Sequence, residues 1–179
     1  EKIFKMKPVD SVNVDEVVAL GAALYAAMKS SGKHLNPSQS ASVNKMKVSE
    51  ISTYYFGTLS LSHNLARDTH EVQNAIIINK GEKIPCSKTK EFATLHDSQD
   101  KIECSVTKSG SPETDPRFVS TVWEGKLDLP EGRPRGQKIE VTYSFDENGM
   151  MKCDFHDVAS GRKKQIELDE VSGEIEPSA

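Results

Sequence analysis

The sequence predicts a mainly β protein: a two-layer antiparallel β-sandwich of about eight strands that one N-terminal α-helix precedes. Short segments of alternating apolar and polar residues follow one another from about residue 48, with turn-forming residues between them. One β-hairpin pattern covers residues 137–155. Apolar residues at helical spacing end near Lys29, and no helix is predicted after that residue.

The hairpin is the clearest secondary-structure pattern of the chain. Apolar residues occupy every second position from residue 139 to 145, and again from 151 to 155. This period of two is typical of strands with one buried and one wet face. Residues 146–149 between them form a turn pattern, in which Gly149 can adopt a positive φ.

The remaining strands follow from shorter patterns of the same kind. Gly57 lies inside the first of them, which indicates a β-bulge or the close approach of another segment. Residues 62–73 are polar and are predicted to form a long loop, as are residues 108–117. The predicted strands lie at residues 52–61, 75–79, 91–96, 102–106, 118–124, 126–129 and 166–168.

The predicted helix begins after Asn13, which can cap it, with Glu16 three residues later as the second member of a capping box. Its wide apolar stripe needs a partner surface that the rest of the chain does not obviously offer. The first residue is Glu1, and we expect the chain to be a piece of a longer protein. We predict a terminal helix in residues 1–29, a polar linker in 30–47, the sandwich in 48–169 and a disordered acidic tail in 170–179.

Composition narrows the class of protein. Apolar residues make up 36% of the chain, which is enough for one hydrophobic core. The net charge is -4, and the sequence has no cluster of basic residues typical of a nucleic-acid binder. We therefore expect no nucleic-acid partner, and no membrane partner because no apolar run is long enough to span a bilayer. The three cysteines lack a C-x-x-C spacing and no signal peptide is visible, so we expect a reducing, cytoplasmic location with at least two cysteines buried in strands.

Motifs of catalysis are not found in the sequence. It has no G-x-G-x-x-G, P-loop or G-x-S-x-G pattern, and no histidine pairs obviously with Cys86 as a nucleophile. His63 and His70, with Asp68 and Glu71, are better explained by a solvated loop than by a metal site. The sequence thus predicts a binding module, not an enzyme, with no catalytic residue and no metal.

Several blocks of residues resemble one known family. Residues 13–23 resemble the last helix of the ATPase domain of the seventy-kilodalton, DnaK-like heat-shock chaperones. Residues 127–129, 134–136, 139–143, 146–149 and 160–163 resemble that family's substrate-binding β-domain, and the match covers almost the whole chain. The chain is identified as a divergent member, because its linker is long and polar and residues 52–57 depart from the family pattern.

The resemblance implies a chaperone that takes part in protein folding and the stress response. Its β-sandwich would hold short, extended, hydrophobic segments of unfolded proteins in a channel. For Phe92, Ile102 and Cys104 a plain core role is the alternative, whereas Leu61 and Leu95 lie beside loops and are more informative. The peptide-binding residues implied are Thr58, Leu61, Phe92, Ala93, Leu95, Ile102 and Cys104.

The resemblance also implies cofactors and partners for the longer protein. ATP and magnesium would bind an ATPase domain outside these residues, and a J-domain co-chaperone and a nucleotide-exchange factor would act through it. The linker around Leu35 could enter a channel, which predicts self-association. Two alternatives stay open: a chaperone-like scaffold that docks one dedicated partner, and an unrelated β-sandwich for carbohydrate binding or adhesion.

Overall fold

The computed structural model describes residues 13–29, 35–43, 49–64, 68–169 and 175–176. The chain divides into two compact units, Glu1–Val48 and Ser49–Ala179. None of the helices in the described ranges is long and apolar enough to cross a membrane.

The first unit contains two helices. Helix α1 covers Val14–Lys29, close to its predicted bounds, and the backbone oxygen of Asn13 accepts hydrogen bonds from the nitrogens of Glu16 and Val17 at 3.1 and 3.0 Å. Five of its large apolar side chains are exposed, Val18 the most at 78%. Helix α2 covers Pro37–Val43, within the segment predicted as linker, and the sequence patterns did not indicate it. Residues 30–34 and 44–48 of that predicted linker lie outside the described residues.

The second unit is a β-sandwich, as predicted. Eight of its strands are seven residues or longer, which agrees with the number expected from the sequence. The strands are β1 Glu50–Ile51, β2 Tyr55–Asn64, β3 Thr69–Ile78, β4 Lys83–Ile84, β5 Cys86–Ala93, β6 Lys101–Ser109, β7 Ser120–Asp128, β8 Lys138–Phe145, β9 Met150–Asp157, β10 Lys163–Asp169 and β11 Ile175–Glu176.

Two larger antiparallel sheets form the layers of the sandwich. One has the strand order β3-β2-β6-β7 and the other β11-β10-β9-β8-β5, while β1 and β4 form a small separate pair. The core between the layers takes Phe56, Ile78 and Val106 from the first sheet, and Tyr143 and Phe155 from the second. Each of these five side chains is at most 3% exposed.

The predicted hairpin is the centre of the five-stranded sheet. Residues 139, 141, 143 and 145 of β8 are buried, and so are 151, 153 and 155 of β9, as the period of two requires. Gly149 has a φ of 79°, and the Asp146 carboxylate accepts hydrogen bonds from the backbone nitrogens of Asn148 and Met150. The hairpin prediction is confirmed in both its faces and its turn.

The polar segment 62–73 was predicted as a loop, and that prediction was wrong. β2 continues to Asn64 and β3 begins at Thr69, with Leu61 opposite Val72 and Ser62 opposite Glu71 in the register. Backbone pairing between two strands satisfies the peptide groups whether or not a side-chain face is buried. A hairpin that projects beyond the core therefore carries no apolar alternation for sequence reasoning to detect.

Three other segments differ from their predicted bounds. Residues 120–128 form one strand, β7, where two were predicted at 118–124 and 126–129. The strand continues through Gly125, and the Trp123 ring occupies the space where a Cβ at Gly125 would lie. β5 covers Cys86–Ala93, where a strand was predicted at 91–96. It is an edge strand of its sheet, and residues 87–91 are exposed on both of its faces. A 3-10 turn at Pro116–Phe118 covers the end of the predicted 108–117 loop and the first residue of the strand predicted at 118–124.

The C-terminal tail was predicted to be disordered. Ile175–Glu176 nevertheless pair with β10, Ile175 opposite Leu168. Residues 170–174 and 177–179 of the tail lie outside the described residues.

Candidate functional site

A groove opens at the end of the sandwich where β5 and β7 end and β6 and β8 begin. Lys101 pairs with Asp128 and Ala93 pairs with Lys138 at this end, which brings the β5–β6 and β7–β8 loops together. The groove has a volume of about 560 Å³. It is lined by Leu61, His70, Thr94, Leu95, His96, Arg135 and Gly136.

One wall of the groove is formed by the projecting hairpin of β2 and β3. β6 pairs with β2 at Tyr55, Phe56 and Gly57 and at no later residue of β2. The register between β2 and β3 shifts between Phe56 and Gly57, because Ile77 of β3 is the extra residue of a bulge opposite them. Beyond the bulge, a side chain of β6 takes the place of a backbone partner for β2. The Leu59 nitrogen donates to the Ser105 hydroxyl at 2.9 Å. β2 therefore separates from β6 before it reaches Leu61.

Gly57 is required at this bulge because another strand comes very close. A Cβ atom there would lie 2.7 Å from Oδ1 of Asn74 and 2.8 Å from the carbonyl oxygen of Ala75. Asn74 is itself buried and held, since its Nδ2 donates to the Glu113 carbonyl at 2.8 Å and its Oδ1 accepts from the Thr107 hydroxyl at 2.6 Å. A side chain at position 57 would thus have to displace Asn74, which its own hydrogen bonds hold in place.

The other wall consists of two loops, residues 94–100 and residues 129–137. Their backbones are joined, since the Thr94 nitrogen donates to the Gln137 carbonyl at 3.0 Å and the Gly136 nitrogen donates to the Thr94 carbonyl at 2.8 Å. The Leu95 nitrogen donates to the side-chain oxygen of Gln99 at 3.0 Å, which fixes the start of the first loop. Leu95 is thereby held opposite the hairpin wall.

A buried ion pair anchors the 129–137 loop to the five-stranded sheet. The Asp157 side chain is fully buried, and the Arg133 guanidinium donates to both of its oxygens, at 3.1 and 2.5 Å. The Ser160 hydroxyl donates to the same carboxylate at 2.5 Å. Burial opposes ionisation of this carboxyl group, but the hydrogen bonds from Arg133 and Ser160 outweigh it and lower the pKa of Asp157. The pair holds the loop that carries Arg135 and Gly136.

One lining residue of the groove, Arg135, carries a permanent charge. The titratable lining side chains are His70, His96 and Arg135, and no carboxylate is among the lining residues. Asp97 lies next to the groove, and its Oδ1 accepts a hydrogen bond from the Arg135 backbone nitrogen at 2.8 Å. The groove thus combines two leucines with one arginine and two histidines as N–H donors, and the Asp97 carboxylate lies beside it.

Seven residues were predicted to line a peptide channel, and the structure brings two of them together at the groove, Leu61 and Leu95. Leu61 is 49% exposed and Leu95 is half-buried. Ala93 is exposed at the end of β5, one residue before the groove lining begins.

The other predicted lining residues lie in or beside the core. Cys104 is 2% exposed and belongs to the core cluster, and Phe92 and Ile102 pack against that cluster, which is the alternative that the sequence left open. Thr58 is buried, with its hydroxyl 3.4 Å from that of Ser105. These four residues can support the floor between the sheets but do not line the groove.

Sequence reasoning missed five residues of the groove. His70 was assigned to a solvated loop, and Arg135 to ordinary surface charge. Thr94, His96 and Gly136 were not singled out, although the Pro134-Arg135-Gly136 turn was noted as part of a resemblance. No sequence pattern indicates which loops that are far apart in the chain come into contact. These residues can therefore be assigned to the groove only from the fold.

None of the three cysteines is among the residues that line the groove. Burial raises the pKa of Cys104 to about 12, and burial likewise raises the pKa of Cys86 and, well above its ordinary value, that of Cys153. All three cysteines are free, with Cys104 and Cys153 buried in strands as expected. Within the described residues, no group of three or more His, Cys, Asp or Glu side chains could hold a metal ion.

The fold and the groove together define a mainly β sandwich with a loop-lined groove at one end. The family model described as Hsp70 protein matches residues 1–178. Because the match spans nearly the whole chain, the chain belongs to the Hsp70 family, the 70-kDa heat-shock proteins. The family supports a chaperone-type function in general terms, and it is related to ATPases.

Proposed function

We propose that the β-sandwich binds short extended segments of unfolded polypeptides, with an apolar side chain held between Leu61 and Leu95. The observation that supports this most directly is the presence of these two leucines in one open groove. Burying an apolar ligand side chain between them would contribute roughly 1–2 kcal/mol by area. That is enough to favour Leu or Ile over a polar residue at the same position.

The open edge of β2 offers a place for the backbone of such a segment. The Leu59 nitrogen points towards β6, where it meets Ser105, and by the alternation of strands the Leu61 nitrogen points to the same side. β6 does not pair with β2 at Leu61. An extended peptide could therefore hydrogen-bond there as an added strand, which gives affinity that does not depend on sequence.

Replacement of Leu61 by Asp tests the proposal. We expect at least about a tenfold loss of affinity for a fluorescein-labelled Leu-rich peptide, because a charge would have to be buried against an apolar side chain. Fluorescence anisotropy measures the binding, and circular dichroism verifies the β-structure.

Ile51→Asp is the matched control for this experiment. Ile51 is 51% exposed, close to the value for Leu61, and it lies on β1 outside the groove lining. The control should bind as the unmodified chain does. Equal affinity of Leu61→Asp and the control, or no binding by the folded unmodified chain, would refute the proposal.

A docking scaffold for one dedicated partner is the second candidate function. It is favoured by the exposure of two apolar neighbours on the projecting hairpin, Leu61 at 49% and Val72 at 48%, which face each other in the register. Such a pair also suits a protein interface. A peptide array separates the two functions: binding to many Leu-rich peptides favours the channel, whereas capture of one folded partner without affinity for the array favours the scaffold.

The family relationship motivates the proposals for the longer protein. Coupling to an ATPase domain with ATP and magnesium, action with a J-domain co-chaperone and a nucleotide-exchange factor, and a cytoplasmic location are all proposed on this ground. Self-association through the linker is proposed from the sequence around Leu35.

A further inference from the structure

We propose that Ser111 is a phosphorylation site for a proline-directed protein kinase, and that its phosphorylation weakens peptide binding in the groove. Ser111 lies in the loop of residues 110–119 that joins β6 to β7, the Ser111 loop. Pro112 follows it, and no other Ser or Thr among the 179 residues precedes a proline. The effect on the groove rests on the proposed peptide-binding function, whereas the modification itself does not.

The exposure and the conformation of the Ser111 loop suit a kinase substrate. Ser111 and Pro112 are exposed, and residues 110–115 belong to neither a helix nor a strand. Proline has no N–H to donate and favours an extended conformation of the residue before it. A kinase that binds an extended segment and needs no backbone donor after the serine therefore finds its substrate at one position of this chain.

The kinase supplies MgATP as the phosphoryl donor. The Ser111 Oγ attacks the γ-phosphorus of ATP, an O–P bond forms to the serine, and the bond from the γ-phosphorus to the bridging oxygen breaks. ADP leaves, and the hydroxyl proton passes to the base of the kinase. The product carries a charge of about −1.5 to −2 at neutral pH.

The new charge lies against a carboxylate of the same loop. The Ser111 hydroxyl donates to Oε1 of Glu113 at 3.1 Å. Phosphorylation removes this donor and puts an anionic group in its place, so the phosphate and Glu113 repel each other. The arginine that follows is already paired, since the Arg117 guanidinium donates to Asp115 and lowers the pKa of that carboxyl group to about 2. Repulsion therefore dominates at Glu113.

The Ser111 loop also holds the outer edge of β3, the edge strand of its sheet. The Glu113 carbonyl accepts a hydrogen bond from Nδ2 of Asn74 at 2.8 Å. The next carbonyl, that of Thr114, accepts one from the Asn74 backbone nitrogen at 2.7 Å. Because these two carbonyls belong to adjacent peptide groups, a displacement of Glu113 disturbs both hydrogen bonds.

Asn74 connects this contact to the hairpin wall of the groove. It lies opposite Leu59 in the register, two positions from the pair of Leu61 and Val72. When the loop moves, the outer edge of β3 loses a hydrogen-bonding neighbour at Asn74, and the β2–β3 hairpin gains mobility. A wall that has to be ordered again when a peptide binds lowers the affinity, by roughly fivefold for a coupling of ordinary size.

Mass spectrometry tests the modification. The 179-residue chain is incubated with MgATP and a cyclin-dependent kinase, which is proline-directed. One phosphoryl group is expected, at Ser111, and none in Ser111→Ala or Pro112→Ala. No transfer to the folded unmodified chain, or equal transfer to Pro112→Ala, would overturn the assignment of the site.

Hydrogen exchange of the Asn74 amide, followed by NMR, tests the release of the loop. Phosphorylation should speed this exchange roughly fivefold to tenfold, because the amide loses its hydrogen bond to Thr114. Ser111→Glu should act in the same direction to a smaller extent. The matched control Ser87→Glu adds a charge at an exposed serine of β5 and should leave the rate unchanged. An unchanged rate in the phosphorylated chain would refute the release.

Fluorescence anisotropy with the fluorescein-labelled Leu-rich peptide tests the effect on the groove. The phosphorylated chain should bind about fivefold more weakly than the unmodified chain. Ser111→Ala treated with the kinase should keep its affinity, and equal affinities of the phosphorylated and unmodified chains would overturn the regulation. Failure of the folded unmodified chain to bind would count against peptide binding itself, while the mass and exchange measurements still decide on the site and on the loop.

Discussion

Asp157 shows how a single buried carboxylate controls a distant wall of the groove. It does not line the groove, yet it holds Arg133 and with it the 129–137 loop that presents Arg135. The guanidinium Nε of Arg133 is buried without a hydrogen-bond partner, so the loop already carries one unsatisfied donor. Loss of the carboxylate would leave the whole guanidinium uncompensated, which is costly for a charge that is only 20% exposed.

The substitution Asp157→Asn is expected to lower the free energy of unfolding by about 2–4 kcal/mol at neutral pH. The asparagine amide has one neutral oxygen that can accept from the Arg133 guanidinium. Its NH2 group would face a guanidinium N–H, and both groups are donors. Urea denaturation measures the difference. Asp154→Asn on the wetter face of the same strand is the control and should change stability far less, and equal losses in the two variants would contradict this role.

The same pair predicts the direction of a pH dependence. Since the pKa of Asp157 is lower in the folded protein than its ordinary value, its ionised form stabilises the fold above about pH 4, the usual pKa of aspartate in an unfolded chain. This contribution is lost as the pH falls through the folded-state pKa. The stability difference between the unmodified chain and Asp157→Asn should therefore be constant near neutrality and shrink below about pH 4. A difference that grew on acidification would refute the assignment.

At the scale of elements, β2 contributes to both the core of the sandwich and one wall of the groove. It pairs with β6 from Tyr55 to Gly57, where the bulge in β3 lies opposite it, and then continues in register with β3 to Asn64. Its first part belongs to the core through Phe56, and its second part forms a groove wall through Leu61. The bulge is the point at which one role ends and the other begins.

Replacement of Gly57 by Ala is expected to destabilise the protein by about 1–3 kcal/mol, because the added methyl group would overlap Asn74 and the Ala75 backbone. Relief of the overlap would move β3 away from β2, and peptide affinity should fall as well. Thermal unfolding and peptide anisotropy provide the two measurements.

Gly110→Ala is the control for this overlap, since a Cβ at Gly110 meets no atom within 4 Å. It should change neither quantity appreciably. An unchanged melting temperature in Gly57→Ala would show that the bulge tolerates a side chain.

At the scale of the whole molecule, one hydroxyl connects the two sheets beneath the groove. Tyr143 belongs to β8 in the five-stranded sheet and is fully buried. Its hydroxyl lies 2.9 Å from the Gly57 carbonyl and 3.1 Å from the Ser105 carbonyl, both in the four-stranded sheet. Burial raises the pKa of Tyr143 well above its ordinary value, so the group remains a donor. The hydroxyl thus binds β2 at Gly57, the last residue of β2 that pairs with β6, and β6 at Ser105.

Tyr143→Phe should cost about 1–2 kcal/mol of unfolding free energy, because it leaves buried carbonyl oxygens without their partner while the ring packing is kept. Tyr54→Phe, at a tyrosine that is 38% exposed, is the control and should be close to neutral. Guanidinium denaturation compares the two. A neutral Tyr143→Phe would mean that the sheets are held by apolar packing alone.

Much of this fold could be predicted from sequence, because the patterns that indicate it lie between residues that are near one another in the chain. The hairpin of β8 and β9 has one face in the core, so alternation reports both its strands and its buried side. The close approach of β3 at Gly57 could be predicted because a glycine inside a strand pattern commonly marks a bulge or a close approach of another backbone. Leu61 and Leu95 were predicted as site residues from the resemblance to a family, and the fold places both in one groove.

The sequence by itself determined the strands of the core, the hairpin at its centre and the family, because these depend on patterns between residues that are near one another in the chain. Only the tertiary structure decided the length of the β2–β3 hairpin, the pairing of Arg133 with Asp157 and the meeting of Leu61, His70 and Arg135. The β2–β3 hairpin projects beyond the core and has no buried face to mark it. The ion pair and the groove join residues whose sequence separations follow no period, so their contacts arise only when the two sheets pack and bring the loops together.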